Sequence, residues 1–142
     1  MQTLTRFLCA IFLFTFANFA CAEGITTHSV AWSKLETLRG KYLGEKPAKP
    51  LLTPVLRSLL KTRYKTFDNY ITVQGPIDIA DDVVICYGME PHSGGENAAF
   101  AFFSKTGGLF AAIKTGEKFE YFGDKTLSTQ PAVAKALKTY SN

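Results

Sequence analysis

The first stretch of the chain is far more apolar than the rest. Residues 1–22 carry one cationic side chain, Arg6, then a dense apolar run over 7–16 and a small-x-small ending, Ala20-Cys21-Ala22. This layout is typical of a secretory signal peptide, and the apolar run falls short of the about 20 residues that a membrane span needs. We expect cleavage after Ala22. A lipoprotein in which Cys21 is acylated is the alternative.

Helical spacing of apolar positions follows the leader. Ser29–Leu38 reads as a short amphipathic helix. Gly44–Pro50 holds two prolines and is expected to be a linker. Thr53-Pro54 opens a second helix, since Thr can cap it and Pro suits a first turn. A last helix is predicted over Ala132–Tyr140, with Pro131 at its start.

From Tyr70 onward the pattern changes to that of β-strands. Val83–Tyr87 is apolar throughout and is predicted to be a buried central strand. Tight connections between the remaining strands indicate an antiparallel meander. The predicted class is α+β, an antiparallel sheet covered by helices on one face. The other predicted strands are Tyr70–Gln74, Ile77–Ile79, Ala98–Ser104, Leu109–Lys114 and Lys118–Phe122, with a turn at Asp81-Asp82.

Length and charge allow one ordinary domain. The chain has 142 residues and a formal net charge of +4, which becomes +3 once 1–22 is removed. We predict an N-terminal helix and linker at 23–50 and a single α+β domain at 51–142, with 23–142 folding as one unit. The mild charge does not indicate a nucleic-acid partner, and after cleavage no membrane partner is expected.

Cysteine usage excludes an internal disulfide in the processed chain. Cys9 and Cys21 leave with the leader, so Cys86 is the one cysteine that remains. It lies in the predicted buried strand, where a lone thiol usually acts as a small apolar side chain. A reactive or intermolecular thiol is the alternative, and together with an exposed sheet edge it leaves a homodimer open.

The segment Gly88–Asn97 is the most unusual stretch of the mature chain. Its ten residues include one of two histidines, two carboxylates and three glycines. A loop of this length in a small exported domain favours a binding role, although a solvated hairpin tip without function is the alternative. The candidate target-binding residues are Glu90, Pro91, His92, Ser93, Gly94, Gly95 and Glu96.

Catalytic and metal sites are poorly supported by the sequence. Glu90 and His92 could act as an acid–base pair, but no activated nucleophile accompanies them. His28, His92 and one thiol make a poor ligand set, so we expect no metal and no cofactor. Two short motifs of penicillin-recognising serine enzymes occur, Ser58-Leu59-Leu60-Lys61 and Lys105-Thr106-Gly107, but the chain is too short for that fold. The aromatic residues of the strands are expected to fill the core.

Several segments together resemble the central part of the inhibitor of vertebrate lysozyme (Ivy) family. They are Val83–Cys86, Pro91-His92, Ala98–Phe103, Lys105 and Gly108–Phe110, and the likeness extends over about Thr53 to Tyr121. The resemblance implies an antiparallel sheet backed by helices and a protruding loop that plugs a lysozyme cleft. By this match Pro91 and His92 carry over, with the histidine engaging the catalytic carboxylates.

The loop departs from the family pattern in several respects. The family loop is stapled by two cysteines, whereas here Ser93 and Gly94 follow the histidine and four residues separate Cys86 from Pro91. A floppy loop loses binding free energy to ordering entropy.

The sequence therefore predicts a periplasmic inhibitor, not an enzyme. Its partner would be a cell-wall-degrading enzyme: a host lysozyme, a lytic enzyme of the same cell, or a toxin from a competing bacterium. The last partner would make the chain an immunity protein. The alternative function is that of a small exported ligand-binding domain that uses its sheet face.

Overall fold

The computed structural model describes residues 27–139, which form one sheet and four helices. The predicted signal peptide lies outside the described residues. The helices are α1 (Trp32–Glu36), α2 (Ala48–Leu60), α3 (Tyr64–Tyr70) and α4 (Pro131–Thr139), with 3₁₀ turns at Lys61–Arg63 and Lys125–Thr129. The strands are β1 (Val73–Gln74), β2 (Asp78–Ala80), β3 (Val83–Met89), β4 (Asn97–Ser104), β5 (Leu109–Thr115) and β6 (Lys118–Gly123).

The sheet is antiparallel throughout and its longer strands follow one another as a meander. Strands β3, β4, β5 and β6 are neighbours in that order. β1 and β2 pair with opposite ends of the same edge of β3, through Val73 opposite Met89 and Ala80 opposite Val83. The α+β class, the meander and the central position of β3 are thereby confirmed.

The sheet has helices on both faces, so the prediction of one covered face is wrong. Alternate side chains of each strand enter two separate apolar clusters. One cluster packs small sheet residues such as Ala101 and Ala111 against α1, α2 and α3. The other packs Phe100, Phe102 and Phe110 beneath residues of α4 and the turn before it. The strands of this sheet are apolar on both sides because both sides are covered.

Helix α2 begins at Ala48, six residues before the predicted first helical residue Pro54, so the expected linker Gly44–Pro50 ends in helix. Pro50 is the third residue of α2, where the backbone N–H has no partner within the helix. Pro54 is inside the helix and removes one hydrogen bond, and Thr53 is not its cap. The buried stripe includes Ala48 and Leu52. This packing outweighs the lost bond.

Other boundaries move by a few residues. Tyr70 ends α3, so the strand predicted from there shrinks to β1. Asp81 and Asp82 both adopt a positive φ, 51° and 58°, which is the backbone of a two-residue hairpin turn of type I′. α1 is shorter than predicted, and α4 starts at Pro131. Tyr140 lies outside the described residues.

The N-terminal segment is fastened to the far end of the β4–β5 hairpin. The His28 N–H donates to the carbonyl of Gly107 at 2.8 Å, and the His28 ring lies 5.4 Å from that of Phe103. Its Nε2 contacts the carbonyl of Ser104 at 3.1 Å. His28 therefore contributes to packing at the end of the sheet opposite the predicted binding loop.

Candidate functional site

The predicted binding loop connects β3 and β4 at one end of the sheet. Because β3 extends to Met89 and β4 begins at Asn97, the loop has seven residues, 90–96, and not the ten expected. Met89 pairs with Ala98, and the Glu90 N–H donates to the Asn97 carbonyl at 2.9 Å. The loop thus stands on a regular hairpin stem.

Hydrogen bonds within the loop define its first turn. The Ser93 N–H and the Ser93 hydroxyl both donate to the Glu90 carbonyl, at 3.3 Å and 2.9 Å. The Glu96 N–H donates to the Ser93 carbonyl at 3.1 Å. Ser93 is half-buried and its hydroxyl is engaged with the backbone. These hydrogen bonds shape the loop.

The tip of the loop uses left-handed backbone conformations. His92 has φ of 63°, and Gly94 and Gly95 have φ of 62° and 88°. Glycine adopts these values without strain, whereas a non-glycine residue seldom does, although histidine is enriched among the exceptions. His92 and Pro91 are exposed. Sparsely populated backbone conformations of this kind cluster at functional sites.

Two side-chain hydrogen bonds fasten the loop to the sheet. The Asn97 amide Nδ2 donates to Glu90 Oε2 at 2.6 Å, which closes the base of the loop. Lys114 Nζ of β5 donates to the carbonyl of Gly95 at 3.0 Å, which fixes the returning arm. We call these two contacts the polar clamp. They hold a loop that has no pair of cysteines to form a disulfide.

Lys114 is the residue of this site that sequence reasoning missed. It is only 8% exposed, and no ion pair with a described carboxylate neutralises it. It is flanked on the sheet by Ala98 and Phe119. A lysine that directly follows the apolar run of Leu109–Ile113 was the available signal. Burying an ammonium group costs free energy, and the hydrogen bond to the loop offsets part of that cost.

The seven predicted residues divide into two groups by exposure. Pro91, His92, Gly94 and Glu96 are exposed and available to a partner. Glu90, Ser93 and Gly95 are half-buried and take part in the contacts that hold the loop.

Cys86 is a core side chain and does not belong to the loop. It is 1% exposed and faces the cluster beneath α1–α3. Burial raises the pKa of its thiol to about 12, so the thiol stays protonated at neutral pH. A dimer linked through this cysteine is therefore not available to the folded chain.

The other chemical motifs are not assembled into sites. Ser58 and Lys61 are both exposed, and Lys61 lies just beyond the end of α2 with φ of 49°. Residues 27–139 contain no group of three or more His, Cys, Asp or Glu that could hold a metal ion. Over the same residues, no helix has the length and apolar character needed to cross a bilayer.

Comparison with known proteins places most of this architecture in one family. Residues 52–142 match the family described as inhibitor of vertebrate lysozyme (Ivy). The matched region runs from α2 to the end of the chain and includes the whole sheet, the binding loop and Lys114. No curated protein and no solved structure matches the chain with significant similarity.

Proposed function

The chain belongs to the family of inhibitors of vertebrate lysozyme, and from that premise we propose that it blocks a lysozyme-like peptidoglycan hydrolase with the loop at residues 90–96. Proteins of this family are inhibitors and not enzymes, and their partner is a lysozyme. The loop, its anchor residue His92 and a periplasmic location are the finer parts of the proposal.

The observation that carries the proposal is the presentation of His92. The imidazole is exposed at the tip of a hairpin whose two arms are held by the polar clamp. Pro91 precedes it and has a fixed φ, so the backbone that delivers the ring has little freedom. A rigid projection with one polar anchor is suited to entering a cleft.

The chemistry of the target fits an imidazole. Glycoside hydrolases place two carboxyl groups on either side of the bond they cleave. A neutral imidazole supplies one N–H donor and an imidazolium supplies two, so His92 can donate to a cleft carboxylate in either state. The loop backbone then occupies the space that the sugar chain requires. Inhibition follows from exclusion of substrate and needs no reaction.

The polar clamp supports a loop that is held in place before the target binds. Ordering a loop on binding costs about 0.5–1.5 kcal/mol for each immobilised side chain, so a loop held in one conformation beforehand binds more tightly. Asn97 holds the Glu90 carboxylate at the base of the loop, and Lys114 holds the Gly95 carbonyl of the loop backbone. One group in each hydrogen bond is charged, and such bonds are stronger than neutral ones. These hydrogen bonds restrain the loop as a disulfide would.

Export to the periplasm rests on the leader-like segment 1–22 together with the family. A target in that compartment could be a host lysozyme, a lytic enzyme of the same cell or a toxin from a competitor. In the last case the chain serves as an immunity protein, by the same mechanism.

The alternative of an apolar ligand on the sheet face has less support. Phe100, Phe102 and Phe110 are fully buried. The Phe102 ring stacks on the rings of Phe100 and Phe110 at 6.3 Å and 5.6 Å. Rings packed on one another in this way behave as core.

A turbidity assay of lysozyme acting on permeabilised cell walls tests the proposal. Lysozymes of different types are mixed with the processed protein and with His92→Ala and His92→Asn. Asparagine tolerates the left-handed backbone, so it separates loss of the imidazole from strain in the loop. The matched control is Glu117→Ala, an exposed position in the β5–β6 turn at the same end of the sheet.

We expect near-stoichiometric inhibition by the wild type and by Glu117→Ala, and a loss of about 100-fold in affinity for both His92 variants, the size of a binding hot spot. Equal inhibition by all four proteins would remove the loop from the mechanism. Failure of the wild type against every lysozyme would leave the fold intact and move the target elsewhere.

A further inference from the structure

Charge is divided very unevenly between the first third of the described chain and the rest of it. Residues 27–65, which hold α1 and α2, carry nine lysines and arginines but two carboxylates, Glu36 and Glu45. Residues 66–139 carry six lysines and nine carboxylates. The mild overall charge therefore conceals a helical layer of +7 and a sheet portion of −3.

Few cations of the helical layer are neutralised. Arg63 pairs with Glu120, and Arg39 lies 3.7 Å from Asp78. The Arg57 guanidinium lies 5.0 Å from the centre of the Tyr64 ring. This cation–π contact does not neutralise its charge. The other six are exposed lysines with no ion-pair partner among the described residues: Lys34, Lys41, Lys46, Lys49, Lys61 and Lys65.

Helix α2 sets part of this charge in a row. Its buried stripe recurs every fourth residue, at Ala48, Leu52, Leu56 and Leu60. Lys49, Arg57 and Lys61 each follow a member of the stripe by one position, and all three are exposed. Lys49 and Arg57 are about 12 Å apart along the helix axis. Lys49 borders a surface hollow with Pro50 and Pro54, and Lys61, beyond the end of the helix, borders a second hollow that Pro54 shares with residues of β6.

Apolar surface lies between these cations. Pro50 and Pro54 line a shallow hollow together with Lys46 and Lys49. Tyr42, in the segment that leads into α2, is 41% exposed. We call Lys34, Lys46, Lys49, Arg57 and Lys61, with Tyr42 and these prolines, the basic helical face.

We propose that the basic helical face docks on the anionic headgroups of a membrane surface. Clusters of four to eight lysines and arginines bind anionic lipid, and each cation near the surface strengthens the attraction. The outer side of a helix is convex and its hollows are shallow. Such a surface fits a flat membrane better than it fits an extended peptide, which needs a groove. An exposed tyrosine favours the membrane–water interface.

This docking is peripheral and does not depend on lysozyme binding. It departs from the expectation of no membrane partner after cleavage, because the attraction is electrostatic and needs no apolar anchor. Helix α2 packs on one face of the sheet, and the loop at 90–96 leaves from the sheet's end. Both surfaces are therefore open to partners at once, and the inhibitor would be concentrated where the cell wall meets the membrane.

Vesicle co-sedimentation tests the proposal with protein recovered from an exporting host, its processed N-terminus read by mass spectrometry. The probes are phosphatidylglycerol–phosphatidylcholine vesicles and pure phosphatidylcholine vesicles. The α2-face variant carries Lys46→Glu, Lys49→Glu and Lys61→Glu. The charge-matched control carries Lys118→Glu, Lys125→Glu and Lys138→Glu, which are exposed lysines of the sheet portion and α4. Thermal melting followed by circular dichroism verifies that both variants fold, and a Gln version of the α2-face variant replaces it if it does not.

We expect the wild type and the control to sediment with anionic vesicles at low salt and to be released at high salt. The α2-face variant should bind at least about 100-fold more weakly. Absence of wild-type binding, equal binding to neutral vesicles, or equal weakening in both variants would overturn the proposal. Retention by soluble dextran sulfate without vesicle binding would overturn it in favour of a soluble polyanion.

Discussion

The stem and the tip of the β3–β4 hairpin are stabilised by different forces. The stem is held by the regular strand ladder and by side chains such as Cys86, Phe100 and Phe102, which are buried in two apolar clusters. The tip has three residues at positive φ and is held by the hydrogen bonds of Ser93 and the polar clamp. Changes in the stem should therefore alter stability, and changes in the tip should alter binding.

The largest effect on stability is expected from the stem. Phe102→Ala removes a fully buried ring that contacts two other aromatic rings, and should lower the free energy of unfolding by about 3–5 kcal/mol. Urea denaturation measures this change. Tyr121→Ala, at a ring that is 45% exposed on the same face, is the control and should lose less. Equal losses would mean that the aromatic face is loosely packed.

The next effect separates the two regions at the tip. His92→Ala should weaken inhibition by about 100-fold while the urea midpoint stays close to that of the wild type, because the exposed ring has little packing to lose. Placing alanine at this left-handed backbone position should change the free energy of unfolding by no more than about 1–2 kcal/mol. If the variant unfolds as readily as Phe102→Ala, the tip is a structural element and the contrast fails.

The stem carries a pH effect on stability. Burial holds the pKa of the Cys86 thiol at about 12, whereas the unfolded thiol ionises near its ordinary value of 9.0. The unfolded state therefore loses its proton first, and stability falls as pH rises from about 9 towards 12, by about 1.4 kcal/mol per pH unit. Denaturation of the wild type and of Cys86→Ala over pH 8–11 measures the difference. Parallel curves for the two proteins would contradict the burial of this thiol.

The smallest effect tests the polar clamp. Lys114→Met keeps the length of the side chain and removes the donor to Gly95, so the loop should lose order and inhibition should weaken by about 10-fold. Global stability should change by less than about 1 kcal/mol, because the lost hydrogen bond is offset by relief of a buried charge. Lys114→Arg retains a donor and should recover part of the affinity. Unchanged inhibition in Lys114→Met would show that the loop needs no fastening.

The sequence was sufficient for the parts of the fold that local pattern determines. The apolar runs predicted strands β3 to β6, and the paired aspartates before Val83 predicted a turn. Pattern was misleading where proline was involved, because Pro50 reads as a helix breaker and yet lies in the first turn of α2. Ala48, the first residue of that helix, is fully buried in the core, and such packing cannot be read from the local pattern.

The candidate site was predicted in part for the same reason. The loop and its histidine were visible as a run of unusual residues between two strands. Lys114 was not, because its partner Gly95 is 19 positions away and the contact exists only once β4 and β5 are paired. Its burial is a property of the folded sheet.

The way β1 and β2 share one side of β3 bears on how the chain avoids sticking to itself. A long open strand at the border of a sheet invites other chains to pair with it and aggregate. Here that border consists of two strands of two and three residues, interrupted at Gly75-Pro76. Ile77 in the gap exchanges hydrogen bonds with Gly40 and Lys41, and the Arg39 guanidinium donates to the carbonyl of Ile79. This border of the sheet is thus too short and too well covered to template the addition of a further chain.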